Sequence, residues 1–318
     1  MNPPAPTVLP LLLGATATGK SAVALFLAQQ MGAELLSADS MKNYRRLEIG
    51  VAKPTPAERA AVAHHLIDWK EPWESCSTAE WLAAAEEVVR GTAARGVPLI
   101  AEGGTALYLK ALREGIFSGP GRSPEFRARL EEEARARGPE ELHARLRARD
   151  PAAARRILPG DLRRIIRALE VLELTGRPIS AHQSQWGRLR GDLQVRAAGL
   201  AVERKELYRR IDARVDRMFA AGWVEECRGL MKLEEATPER RLSREALQAI
   251  GYRTIFAHLR GELDLEETRA RIRYDTHHFA RRQESWFRRF PEVSWVAARP
   301  GAGVEELAAQ VQAAWERR

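Results

Sequence analysis

The chain has 318 residues, 45% hydrophobic and 30% charged, enough for about two domains with a substantial core. That balance excludes disordered, collagenous and coiled-coil classes. No apolar run approaches the ~18–20 residues of a membrane helix. Two cysteines, Cys76 and Cys227, are too few for a disulfide framework or a four-cysteine zinc site. The net charge is +8, and only seven of the 51 basic residues are lysine. Residues 119–198 carry 17 arginines, no lysine and 11 acids, so most of the excess lies in one segment. A concentrated basic excess points to a polyanionic partner such as nucleic acid, unless the arginines are simply a solvated face. The first seven residues, MNPPAPT, lack the charged region of a secretion signal, so a cytoplasmic protein is expected.

In chain order, 8–13 is an apolar run ending at a glycine and reads as a buried strand. Residues 21–31 show helical spacing. A second strand fits 34–39, a third 65–68, and a helix 81–95 with Thr78 as N-cap and Gly96 as C-cap. Residues 98–103 form a fourth strand before a Gly-Gly turn. Strands alternating with helices imply a parallel sheet. From 119 to 191 only helical signals occur, between hinges at 119–121 and 187–191. The clearest helix there is 161–175, capped by Asp161 and stopped by Gly176. Residues 194–202 return to strand, helices follow at 204–221 and 264–289, and 293–297 adds a last strand. The expected fold is α/β: a P-loop NTPase-like parallel sheet flanked by helices (1–118 and 192–318), interrupted by an all-helical insertion (119–191).

Gly14-Ala15-Thr16-Ala17-Thr18-Gly19-Lys20-Ser21 matches GxxxxGK[ST] in full, between a strand and a helix. Such a loop aims backbone N–H groups and a helix dipole at the phosphates of a di- or triphosphate. Lys20 adds a point charge and Ser21 a hydroxyl for Mg²⁺. Asp39 falls at the carboxyl end of the second strand, where ligands gather in open α/β sheets, so it can hold a metal or accept a proton. The fourth strand ends in Glu102-Gly103-Gly104-Thr105 rather than in an apolar run closed by Asp. That argues against an ordinary ATPase or GTPase. His64 and His65 point to opposite faces of a strand, and His277 and His278 diverge on a helix. Neither pair suits one metal ion.

The chain resembles the tRNA dimethylallyltransferases (tRNA isopentenyltransferases). The resemblance is carried by GATATGKS (14–21), SADSMKNYRRLEIGVAKP (37–54), HHLID (64–68) and EGGTALYLKAL (102–112). It continues through DLRRIIRALEV (161–171), AIGYR (249–253) and ARRQESWFR (280–288). Departures are Ala15 for the usual proline, Lys42 for glutamine and Val51 for threonine. The resemblance implies transfer of a dimethylallyl group from dimethylallyl diphosphate to N6 of the adenosine just 3′ of the anticodon, in tRNAs reading U-starting codons. Mg²⁺ would assist, and no oligomer is required.

By the same resemblance Asp39 is the general base, and Thr105 hydrogen-bonds near the reacting adenosine or the diphosphate, or else merely caps a turn. Residues 14–21 hold the diphosphate. One of Arg210, Arg214 and Arg217, Arg214 by preference, closes on it. The tRNA anticodon stem-loop is expected to meet Asp39, Ser40, Met41, Lys42, Thr105 and Arg127, the helix positions Arg163, Arg164 and Arg167, and Gln248, Gly251, Tyr252 and Arg253. Arg163 and Arg167 share a helix face suited to tracking phosphates, with pairing to Glu170 as the alternative. Arg281, Arg282 and Arg288 sit among Phe279, Trp286 and Phe287, aromatics that at helical spacing are more often core than base-stacking. The target adenine must leave its stack to be reached, at a cost of a few kcal/mol.

Overall fold

The computed structural model describes residues 6–116, 119–183 and 189–317. In chain order the elements are β1 (Thr7–Gly14), α1 (Lys20–Met31), β2 (Glu34–Ala38), α2 (Pro56–Ala61), β3 (His64–His65), α3 (Thr78–Ala94), β4 (Leu99–Gly103) and α4 (Ala106–Glu114). Then come α5 (Pro124–Arg137), α6 (Pro139–Arg149), α7 (Pro151–Ala154), α8 (Leu162–Thr175), α9 (Ile179–His182) and β5 (Leu193–Ala201). The chain closes with α10 (Arg204–Ala220), α11 (Trp223–Ala236), α12 (Tyr252–Leu259), α13 (Leu265–Phe287), β6 (Ser294–Ala297) and α14 (Val304–Glu316).

All six strands run parallel, in the order β3-β2-β4-β1-β5-β6. A parallel sheet is covered on both faces, which is why its strands read as near-continuous apolar runs. Leu11, Leu12 and Leu13 of β1 are fully buried at the centre of the sheet. The third strand is shorter than expected. Leu66 and Asp68 both take positive φ, 59° and 57°, which breaks the extended backbone, and Lys53 and Arg59 hold the Asp68 carboxylate. Helix α3 is capped by Ser77 rather than Thr78: Ser77 Oγ accepts from the Glu80 N–H, and Glu80 returns a bond to the Ser77 N–H.

The chain divides into two compact units, 1–113 with 190–318, and 114–189. Arg190 belongs to the larger unit because its N–H donates to the Arg113 carbonyl and its guanidinium pairs with Glu86 and Asp192. Gly187, where the second hinge was expected to begin, lies outside the described residues. The described elements of the smaller unit are all helices, closed over Leu130, Leu142, Leu146, Ile165 and Val171. No helix among the described residues is long and apolar enough to cross a membrane.

Candidate active site

The loop 14–21 joins β1 to α1. Gly19 turns it with φ 92°, and Ala17 takes the left-handed region at φ 63°, which an L side chain adopts only when the surroundings enforce it. Thr18 Oγ1 donates to the Ala15 carbonyl at 2.9 Å, and Lys20 Nζ reaches the same oxygen at 3.4 Å. Burial pushes the Lys20 ammonium down to about 8, against the pull of Glu102.

The end of β4 does carry a carboxylate for this loop, contrary to the reading of its sequence. β4 lies beside β1 with Leu12 paired to Glu102, so the Glu102 side chain reaches the start of α1. Ser21 Oγ donates to Glu102 Oε2 at 3.2 Å, and Lys42 Nζ donates to Glu102 Oε1 at 2.8 Å. Burial acts to raise the Glu102 carboxyl, but the Lys42 and Lys20 ammoniums prevail and hold it below the ordinary range. Burial likewise acts to lower Lys42, and Glu102 holds it above the ordinary lysine value. A Ser hydroxyl and a carboxylate are hard oxygen donors of the kind Mg²⁺ takes, so Ser21 and Glu102 have the donor chemistry for the ion, with one Glu102 oxygen already held by Lys42.

Two adjoining cavities open here. The smaller, about 440 Å³, is lined by the loop with Lys20, Ser21, Lys42, Arg209, Arg210, Arg214 and Arg217. The larger, about 860 Å³, is lined by Ser40, Met41, Thr105, Gln248, Gly251, Arg253, Arg282 and Trp286, among others. Asp39, Arg214, Phe279 and Gln283 line both. A half-buried carboxylate therefore stands where the pocket of the 14–21 loop meets a roomier one. Asp39 Oδ1 accepts from the Met41 N–H at 3.0 Å. Thr105 fixes the same segment: its Oγ1 accepts from the Ser40 N–H at 2.9 Å and donates to Ser40 Oγ at 3.2 Å, and its own N–H donates to the Ala38 carbonyl.

Of the three α10 arginines expected to close on the diphosphate, Arg210 is engaged by Glu206 at 2.7 Å, whereas Arg214 faces both cavities. Burial lowers the Arg214 guanidinium. Gln283 is a residue the sequence reading passed over. Its Oε1 accepts from the Thr16 N–H and its Nε2 donates to the Gly104 carbonyl, both at 2.8 Å, tying the phosphate loop to the Gly-Gly turn. Its signal is a polar side chain on the buried stripe Ile272, Ala280, Gln283, Phe287 of α13. The aromatics beside it divide: Phe287 is core, while Phe279 and Trp286 line the cavities.

Four residues expected at the RNA have partners within the protein. Lys42 is buried on Glu102 and lines the phosphate pocket. Tyr252 is fully buried, and its hydroxyl donates to Glu226 Oε1 at 2.6 Å. The other oxygen of Glu226 accepts from the Glu48 and Ile49 N–H groups, so Tyr252 anchors the 48–49 segment. Gly50 and Gly251 flank the buried Trp223, where a Cβ on either would lie within 2.3 Å of the indole. In the smaller unit, Arg127 makes a two-point pair with Glu170 at 2.7 and 2.6 Å, and Arg167 meets the same carboxylate at 2.7 Å. Both arginines are needed to satisfy a carboxylate with no exposed surface. Arg163 and Arg164 remain exposed on α8, with Arg164 3.9 Å from Asp161.

Fold and loop together define an α/β protein of the P-loop class. The family model described as IPP transferase matches residues 42–290. The chain is 44% identical to the tRNA dimethylallyltransferase of Geobacter metallireducens, covering 91% of this chain and 92% of that one. It is 46% identical to that of Streptomyces coelicolor, covering 93% and 91%. The structure of a tRNA isopentenylpyrophosphate transferase from Bacillus halodurans superposes with TM-score 0.69 at 33% identity, over 98% of this chain and 97% of that one. A eukaryotic dimethylallyltransferase acting on tRNA shares the fold at TM-score 0.79 and 24% identity, over 96% of this chain and 77% of that one. The chain belongs to the IPP transferase family and is an enzyme of the prenyltransferase class.

The buried Lys20 sets a pH limit. An anion at this loop would be held by its ammonium form, which is half-populated at about pH 8 in the free protein and complete only well below it. Affinity for an alkyl diphosphate, whose own last proton has left by then, should fall about tenfold per pH unit above that point, until bound Lys20 also stays neutral. Calorimetric titration from neutral to alkaline pH checks this, and a flat profile would remove Lys20 from the site.

Proposed function

We propose that the enzyme transfers a dimethylallyl group from dimethylallyl diphosphate to N6 of the adenosine immediately 3′ of the anticodon. Its substrates are tRNAs reading U-starting codons, and it acts as a cytoplasmic monomer. The observation that supports this most is Asp39 at the junction of the two cavities, able to face an anion on one side and a base on the other. N6 attacks the allylic carbon, forming the C–N bond as the C–O bond breaks, and the bonding pair leaves with the diphosphate. Asp39 takes the N6 proton, which becomes acidic as nitrogen gains positive charge. The loop N–H groups, Lys20 and Arg214 stabilise the leaving diphosphate, a preorganised electrostatic role. Ser21 with Glu102 would hold Mg²⁺, which when bound neutralises charge on the leaving group. Ser40, Met41, Thr105, Gln248, Gly251 and Arg253 are the proposed contacts of the extruded adenosine and its neighbours, and Arg163 and Arg164 those of the RNA backbone.

The test is incubation with undermodified tRNA, Mg²⁺ and radiolabelled dimethylallyl diphosphate, counting label in acid-precipitable RNA. Incorporation at one adenosine per tRNA is expected. Phosphate transfer or ATP hydrolysis without incorporation would instead make the protein a kinase-like relative that shares only the fold.

A further inference from the structure

We infer that Lys42 is a diphosphate-binding cation that takes over much of the charge neutralisation a divalent metal would otherwise supply, by occupying the carboxylate such a metal needs. The inference rests on the reading of the 14–21 loop as the diphosphate site. Glu102 is the carboxylate in contact with Ser21, and both its oxygens are engaged: Oε2 by the hydroxyl and Oε1 by the Lys42 ammonium, 2.8 Å away in a buried pair. A Mg²⁺ arriving at Ser21 meets a carboxylate already neutralised and a like charge beside it. Because Mg²⁺ loses its water reluctantly and relies on one or two carboxylates plus substrate phosphates, the ammonium weakens its hold.

The same side chain lines the phosphate pocket. A lysine ammonium carries three donors on a flexible stem, so it can reach a phosphate oxygen while keeping its bond to Glu102. Lys20, Lys42, Arg214 and Arg217 face the cavity, against the Asp39 carboxylate at its margin. Arg209 and Arg210 are drawn toward Glu206. Lys20, Lys42, Arg214 and Arg217, set against Glu102 and Asp39, leave a net positive charge that offsets much of the roughly three negative charges of a diphosphate without a metal ion. A purely structural Lys42–Glu102 pair would affect stability but not the dependence of ligand binding on metal.

The experiment is titration of the full-length protein with inorganic diphosphate, in EDTA and in millimolar Mg²⁺, for wild type, Lys42→Gln and Glu102→Gln. Thermal unfolding of each confirms folding. Wild-type affinity should differ by no more than about threefold between the two conditions, while Lys42→Gln should lose about 10- to 100-fold in EDTA and recover with Mg²⁺. Mn²⁺ binding in the presence of diphosphate, read by electron paramagnetic resonance, should be at least about tenfold tighter in Lys42→Gln than in wild type. Glu102→Gln, which frees the ammonium, should bind diphosphate in EDTA at least as well as wild type. The inference is overturned by a wild type that needs Mg²⁺ as much as Lys42→Gln does. It is equally overturned if Glu102→Gln loses diphosphate in EDTA while folded. A wild type that binds diphosphate under neither condition would overturn the assignment of the loop itself.

Discussion

Replacing Asp39 with alanine is expected to lower single-turnover dimethylallyl transfer by ~10²–10⁴-fold, the usual contribution of a positioned acid or base. Affinity for tRNA should stay within about threefold. Diphosphate affinity should hold or rise, because the substitution removes a negative charge from the margin of an anion pocket. Asp39→Asn separates the base from a merely positioning carboxylate. Its amide oxygen can keep the bond from the Met41 N–H, so the 39–41 turn persists, but it cannot accept a proton at neutral pH. If Asp39 is the base, the two variants fall together. Near-wild-type transfer by Asp39→Asn, with tRNA binding confirmed by gel shift, would assign proton removal to another group. Thr105→Ala sharpens the comparison. It removes the hydroxyl that holds the Ser40 N–H and loosens the turn without touching the carboxylate, so its loss should be smaller than that of Asp39→Ala.

The central strands were legible because a parallel sheet buries both faces, so β1 and β4 carry apolar runs such as 11–13 and 99–101. The phosphate loop was legible because its function lies in consecutive residues. What pattern could not give was which groups face one another across the sheet. Glu102 interrupts an apolar strand and read as a departure from metal-site sequence, yet the register of β4 against β1 carries it to Ser21. Lys42 sits in a segment that the family resemblance assigns to RNA, and its burial on Glu102 depends on a contact 60 residues away in sequence. Gln283 closes on Thr16 over a separation of 267. Arginine exposure was equally hidden. On α8, Arg163 and Arg167 share a face by spacing, but only Arg167 lies within reach of the buried Glu170, which draws it off that face. Tyr252 follows a glycine in a motif that looks like an exposed loop, and becomes core because Trp223 packs between Gly50 and Gly251.

Glu170→Ala should destabilise the helical insertion by about 2–3 kcal/mol at neutral pH, seen as a shift of the urea midpoint. Breaking a buried pair by removing one partner commonly costs about 3–5 kcal/mol. Here Arg127 and Arg167 remain 23% and 32% exposed and regain water, so the cost falls to the low end of that range or just below it. The Ser123 N–H, which donates to Glu170 Oε1 at 2.9 Å, also loses its acceptor at the start of α5. The same carboxylate gives a pH signature. Burial alone would raise it, but hydrogen bonds from Arg127 and Arg167 prevail and bring it down to about 2. Its folded value is therefore depressed below the unfolded one near 4.5, so its contribution is complete above about pH 4.5 and disappears as pH falls toward 2. Wild type and Glu170→Ala should differ most at neutral pH and converge in acid. Equal midpoints at neutral pH would mean that the two arginines are no more restrained by Glu170 than by water.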